Sequence, residues 1–193
     1  REPVTLEERH WTASRGTAVS YRGPNGRMYA GLRHTVSVID GTVVQMTIPN
    51  PRSREYGQRR QGPRIPSLAR LARIYSRIPR QFLDGHKPIV HVHLTGSRQQ
   101  YGSFDNGVTN LYPLSFGREL AATIFHEELG HRAAPEGKAF EALWVSAMIA
   151  DGTVLYPDAD TVEEDFAQAI ERYLGRRELK QHRHRMAILD WMF

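Results

Sequence analysis

Thr123-Ile124-Phe125-His126-Glu127-Glu128-Leu129-Gly130-His131 is the stretch on which the fold and chemistry of this chain turn. Two histidines with carboxylates between them suit a metal-dependent hydrolase: the imidazoles anchor an ion, and a neighbouring carboxylate accepts a proton from water. The usual separation of such histidines is four residues, because four residues turn an α-helix by about 400° and leave the two rings about 40° apart. Here the separation is five. In a regular α-helix that would set the rings about 140° apart. One π-turn absorbs the extra residue and returns both rings to one face, and such turns concentrate at functional sites. Gly130 lowers the local resistance to that distortion.

Downstream of this segment the pattern is helical. Ser115 is placed to cap a helix running through Leu120, Ile124 and Leu129 to about Arg132. Pro135 opens the next helix, with Phe140, Leu143, Trp144, Ala147 and Met148 on a broad apolar face and Gly152 past its end. A third helix spans Thr161 to Gly175, and a basic last helix runs from about Glu178 to Met192. Upstream, residues 1–50 read as antiparallel β-hairpins. Thr35–Ile48 alternates about Asp40-Gly41, which suggests a two-residue type I′ turn. A weaker hairpin flanks Gly23-Pro24-Asn25-Gly26. Residues 51–66 form an Arg/Pro-rich, poorly ordered connector, and Ser67 caps a helix stopped by Pro79. Pro88–Leu94 is a short strand, followed over 95–114 by an ordered loop with room for short strand pieces. The expectation is α+β: one domain over 1–193, with its core in 67–193.

Composition narrows the chemistry. Hydrophobic residues make up 40% and charged ones 24%, with no apolar run of membrane-spanning length, so the chain reads as globular. Cysteine is absent, which excludes disulfides, thiolate metal sites and thiol catalysis. Any zinc must therefore be held by His and Glu, the ligand set of catalytic sites rather than structural ones. The net charge of +5 conceals an asymmetry. Residues 1–96 hold 16 Lys/Arg against 6 Asp/Glu, whereas 97–193 hold 10 against 15. An acidic second half fits a cation site; a basic first half fits a polyanion partner or a solubilising surface.

The His126 segment resembles the active-site helix of the zincin metallopeptidases, in particular the group of anthrax lethal factor and the metallopeptidase domains of bacterial polymorphic toxins. The resemblance covers roughly residues 67–175. It rests on Phe125-His126-Glu127 with Gly130-His131 and on the polar loop Tyr101–Leu111. It rests also on the strand 89–94, in the place of a substrate-pairing edge strand, and on Glu164-Asp165-Phe166-Ala167, similar to the family's E-x-F-A signature. It implies a zincin-like fold, a small twisted sheet packed on helices that include the active-site helix. It also implies Zn2+ held by His126, His131 and Glu164. Glu127 would be the general base, with Glu128 the alternative, and Tyr156 would stabilise the oxyanion. Protein or peptide would be the substrate, with an immunity or inhibitor protein as a further partner. The chain, which starts at Arg1 without a leader, would be a secreted or delivered effector piece of a larger bacterial protein.

Other readings compete for the same residues. Thr161-Val162-Glu163-Glu164 fits a capping box, and Glu163 could replace Glu164 as ligand. Glu136 suits the first turn of a helix. His91 and His93 share one strand face, as edge-strand polar residues or as metal or substrate contacts, while His182 and His184 read as solvated. Glu128-Leu129-Gly130-His131 is a single E-x-x-H element, and a di-iron bundle needs two. Residues 52–80 carry nine Arg against Glu55 alone. Without a nucleic-acid module, a solvated helix face is expected there rather than specific nucleic-acid binding. The rival function is a non-catalytic module on a zincin-like scaffold, binding protein or nucleic acid through that face.

Overall fold

Strand-forming sequence fills the first part of the chain. In the computed structural model, which describes residues 7–58, 63–83, 87–96, 99–132, 137–152, 161–175 and 181–192, it folds as β1 (Trp11–Ala13), β2 (Thr17–Arg22), β3 (Met28–Val38) and β4 (Val43–Pro49). α1 (Arg54–Gly57) and α2 (Leu68–Tyr75) follow, then β5 (Ile89–Val92), β6 (Gly102–Asp105), β7 (Val108–Leu111) and α3 (Leu120–Ile124). From Phe125 the elements among the described residues are helices: a π-helix over Phe125–His131, then α4 (Lys138–Asp151), α5 (Val162–Leu174) and α6 (Arg183–Met192). The architecture is α+β, with one open mixed sheet of seven strands. The described residues divide into two compact units, 7–124 and 125–192. None of the described helices is long and apolar enough to cross a membrane.

In the first unit the strand order is β1-β3-β4-β5-β7-β6, with β2 also on β3. β3 and β4 pair antiparallel from Gly31↔Pro49 to Ser37↔Val43; β4, β5 and β7 then run parallel. Alternation buries Val36, Val38, Val44, Met46, Val90, Val92 and Leu111. Leu71, Ala72, Tyr75 and Ile78 are also fully buried, and α2 packs on β4 while α3 packs on β7. Ser67 caps α2 as its position predicts, its Oγ accepting from Arg70 N at 3.2 Å.

Four expectations are corrected in this unit. The Asp40-Gly41 turn is not type I′, which needs positive φ at both central residues. Only Gly41 has it (φ 91°), Gly41 N donates to Val38 O, and Val38 N donates to Thr42 O, giving a three-residue loop. In the loop over 95–114 the short strand pieces pair as a hairpin. Asp105↔Val108 closes around Asn106 (φ 50°) and Gly107 (φ 77°), a two-residue turn of the primed kind. The strand 89–94 is not an edge strand: β5 has β4 on one side and β7 on the other, so its backbone is committed, and the edge on the β7 side is β6. Ser115 does not cap the His126 helix. It lies in a 3-10 turn with its hydroxyl on Tyr112 O, and α3 starts at Leu120. The connector holds a helical turn, α1, capped by Ser53.

Five arginines of this unit, on α2 or beside it, are tied to it. Arg70 donates to the carbonyls of Phe116 and Gly117, Arg80 to Asp40 O, and Arg73 and Arg77 sit 3.6 Å from Glu8. Arg9 joins Asp40 to the Ser76 and Ile78 carbonyls. These contacts hold α2 and its flanking turns.

In the second unit Phe140 stacks on Trp144 and Phe166 meets both edge-to-face, with ring centroids 4.9–6.0 Å apart. Leu143, expected on the buried face of α4, is half exposed. Beneath the aromatic cluster lies a buried ionic group. Arg185 Nε and Nη2 meet the two oxygens of Asp165 at 2.8 and 2.9 Å, and Nη1 reaches Asp151 at 3.3 Å. Trp144 Nε1 also donates to Asp165, at 3.0 Å. Asp151 accepts from the His184 and Arg185 backbone amides, capping α6 from another helix. The last helix is therefore not simply a solvated basic one: Arg185 is fully buried, and His182 is buried with its Nδ1 3.2 Å from Arg185 Nη1.

Candidate metal centre

The chain passes from α3 straight into the π-helix. Arg132 N bonds Glu127 O, five residues back, the pattern that sets residues five apart on one face. Phe125 and Leu129 point inward, and Gly130 lies against α5. A Cβ on Gly130 would stand 2.4 Å from Ala167 Cβ and 2.5 Å from Ala167 Cα. Only a residue without a side chain allows this approach. On α5 the stripe Glu164–Ala167–Glu171 follows i, i+3, i+7 spacing, so the contact at Ala167 aims both glutamates at the same region.

His126 Nε2 and His131 Nε2 lie 3.1 Å apart. Glu164 presents one carboxylate oxygen to each: Oε2 is 3.4 Å from His126 Nε2, and Oε1 is 3.3 Å from His131 Nε2. Ligands about 2.05 Å from a tetrahedral ion are about 3.3 Å from one another, and one donor atom from each of the three residues lies within 4.8 Å of the others, close enough to share a metal ion. Among the described residues, His126, His131 and Glu164 form the group able to hold a metal ion. The donors alone are not specific to zinc.

The surrounding carboxylates set the charge. Burial by itself disfavours protonated His126, yet Glu164 and Glu171, joined by Glu127, outweigh it and push the ring up to about 9. Glu164 is lowered in turn by its bond to His126, against burial, with His131 assisting. A region that holds a proton this firmly is a region of negative potential, ready for a cation.

The two candidate bases part company. Glu128 is buried with Arg132 Nε at 2.6 Å. Glu127 Oε2 lies 3.9 Å from His131 Nε2, on the side of the donor set. Glu163 is not interchangeable with Glu164: its Oε1 is 3.1 Å from the opposite nitrogen of His131, Nδ1. Thr161 does cap α5 through Glu164 N at 3.1 Å, while the Glu164 side chain turns to the histidines instead of closing a capping box. Tyr156 and Glu136 lie outside the described residues.

Sequence reasoning overlooked Glu171, whose Oε2 is 3.6 Å from His126 Nδ1. Its signal was the helical interval of seven residues from Glu164. His91 and His93 belong to the first unit, on a sheet face with Tyr21 and Tyr112. His93 is buried and bonded to Asn110 at 2.8 Å. Set against protein-family models, curated proteins and solved structures, the chain matches none, so the chemistry of the site rests on its own geometry.

Proposed function

We propose that the chain is a zinc-dependent metallopeptidase of zincin-like design. The observation that carries this is the convergence of His126 Nε2, His131 Nε2 and the Glu164 carboxylate at 3.1–3.4 Å, beside Glu127. Zinc in this setting supplies Lewis acidity, polarising a scissile carbonyl and lowering the pKa of water to about 7. Glu127 takes the proton of the attacking water and returns it to the departing amine, so that water adds across the peptide bond. Arg132 keeps Glu128 from that task. The resemblance to toxin metallopeptidases extends the proposal: a protein or peptide substrate, oxyanion stabilisation by Tyr156, and an effector domain secreted or delivered as part of a larger bacterial protein, with an immunity or inhibitor protein as a partner.

The rival reading is a non-catalytic scaffold that has lost competent metal geometry through the extra residue. The π-helix, which absorbs that residue, favours the catalytic reading, and the internal bonds of Arg70 and Arg80 favour a structural role for those arginines. Metal analysis after purification without chelator tests the proposal: about one zinc per chain is expected, largely lost in His126→Ala. Glu127→Ala should keep zinc yet lose peptide cleavage. Wild-type protein that takes up no zinc overturns the reading; cleavage undiminished in Glu127→Ala moves the base elsewhere.

A further inference from the structure

A neutral imidazole has one N–H, and a ring that ligates through Nε2 must carry it on Nδ1. That N–H needs an acceptor, which fixes the tautomer and the ring plane. In this site both Nε2 atoms face the donor cluster, and both Nδ1 atoms face a second carboxylate. His126 Nδ1 is buried with no acceptor yet within hydrogen-bond distance, and Glu171 Oε2 stands just beyond that distance at 3.6 Å; His131 Nδ1 already has Glu163 Oε1 at 3.1 Å. Glu163, Glu164 and Glu171 all stand on α5. One helix thus presents a ligand to the front of the pair and carboxylates to the back of each ring.

Resting on the zinc reading above, we propose that Glu171 is a positioning residue for the metal centre, holding His126 in its Nδ1–H tautomer with Nε2 presented to the ion, and that Glu163 does the same, more weakly, for His131. Burial ranks the two. The Glu171 side chain is 14% exposed and the Glu163 side chain 62%, so solvent screens the second carboxylate far more than the first. Length matters as well. Glu171 lies two helical turns from Glu164, and the Gly130–Ala167 contact between them sets the depth of both side chains.

The test uses the full chain and zinc chloride in competition with a chromophoric chelator, with far-UV circular dichroism as the check on folding. Glu171→Ala should weaken zinc by about 10- to 100-fold. Glu171→Gln, which keeps an acceptor oxygen without the charge, should lie between it and wild type. Glu163→Gln should shift affinity less than about 3-fold, as for a screened pair. Glu164→Ala should lose the metal. Imidazole 15N–1H spectra supply a readout that a purely structural role would not move: the His126 Nδ1–H is protected from exchange in wild type and unprotected in Glu171→Ala. Wild-type affinity and an unchanged Nδ1–H signal in Glu171→Ala, beside a metal-free Glu164→Ala, would overturn the positioning role and leave the zinc reading standing. Wild-type protein that binds zinc no better than Glu164→Ala would overturn both. If Glu171→Ala fails to fold, Glu171→Gln decides: wild-type affinity and tautomer there reject the role.

Discussion

Substituting Gly130 by alanine adds one methyl group, and the structure says where it must go. The new Cβ meets Ala167 Cβ at 2.4 Å and Ala167 Cα at 2.5 Å. Ordinary carbon contacts lie at about 3.5–4.0 Å, so α5 must retreat by about 1–1.5 Å. Glu164 is only three residues from Ala167 and would move with it. Its oxygens, now 3.3 and 3.4 Å from the two Nε2 atoms, would withdraw beyond the roughly 3.3 Å that tetrahedral zinc ligands require. Overpacking costs about 1–3 kcal/mol, against at most about 1 kcal/mol gained from alanine's higher helix propensity. Urea unfolding should therefore show net destabilisation, and chelator competition should show zinc weakened by at least about 100-fold, beyond the loss of a supporting residue alone. Ala167→Gly should not rescue it, because one of the two clashing atoms is the α-carbon. Gly130→Ala with wild-type stability and zinc affinity would refute the close approach of the two helices, and with it the account of how Glu164 is placed.

Other perturbations probe parts of the fold remote in sequence from this contact. Arg185→Ala leaves Asp165 and Asp151 buried without their cation and should cost about 3–5 kcal/mol in urea unfolding; a loss under about 1 kcal/mol would show the pair to be dispensable. Acid should weaken the first unit. Burial, with His93 and Arg33 nearby, depresses His91 from 6.5 to about 4, and burial lowers His93 against its Asn110 bond. The unfolded chain therefore binds more protons than the folded one between these values. The contribution of these two histidines should be flat above about pH 6.5 and fall by roughly 1–3 kcal/mol towards pH 4, after discounting for partial exposure. A His91→Gln variant should flatten that slope; a wild-type curve unchanged between pH 7 and pH 4.5 would contradict the assignment.

What the sequence disclosed follows the range of the interactions involved. The His126–His131 interval demanded a π-turn because helical geometry is local, and Ser67 and Thr161 announced their caps for the same reason. Asp40-Gly41 marked a hairpin, though not its loop length, because whether Asp40 also takes positive φ is settled by strand twist and register. Asn106-Gly107 carried the stronger hairpin signal and was hidden by flanks of only four residues. The central place of β5 was illegible: Val90 and Val92 alternate as in an edge strand, and the neighbours β4 and β7 lie some forty residues before and twenty after. Glu171 could be tied to His126 only once the π-helix and α5 were known to meet at Gly130.

The buried arginine of α6 bears on when the candidate centre can assemble. Asp165, next to the proposed ligand Glu164, is held by Arg185, twenty residues further along the chain. A nascent polypeptide in which α6 has not yet emerged would carry Asp165 and Asp151 without their cation. The helix that brings Glu164 and Glu171 to the histidines would then lack its anchor. Synthesis from the N-terminus would thus deliver all three proposed ligands before the residue that fixes the helix carrying one of them.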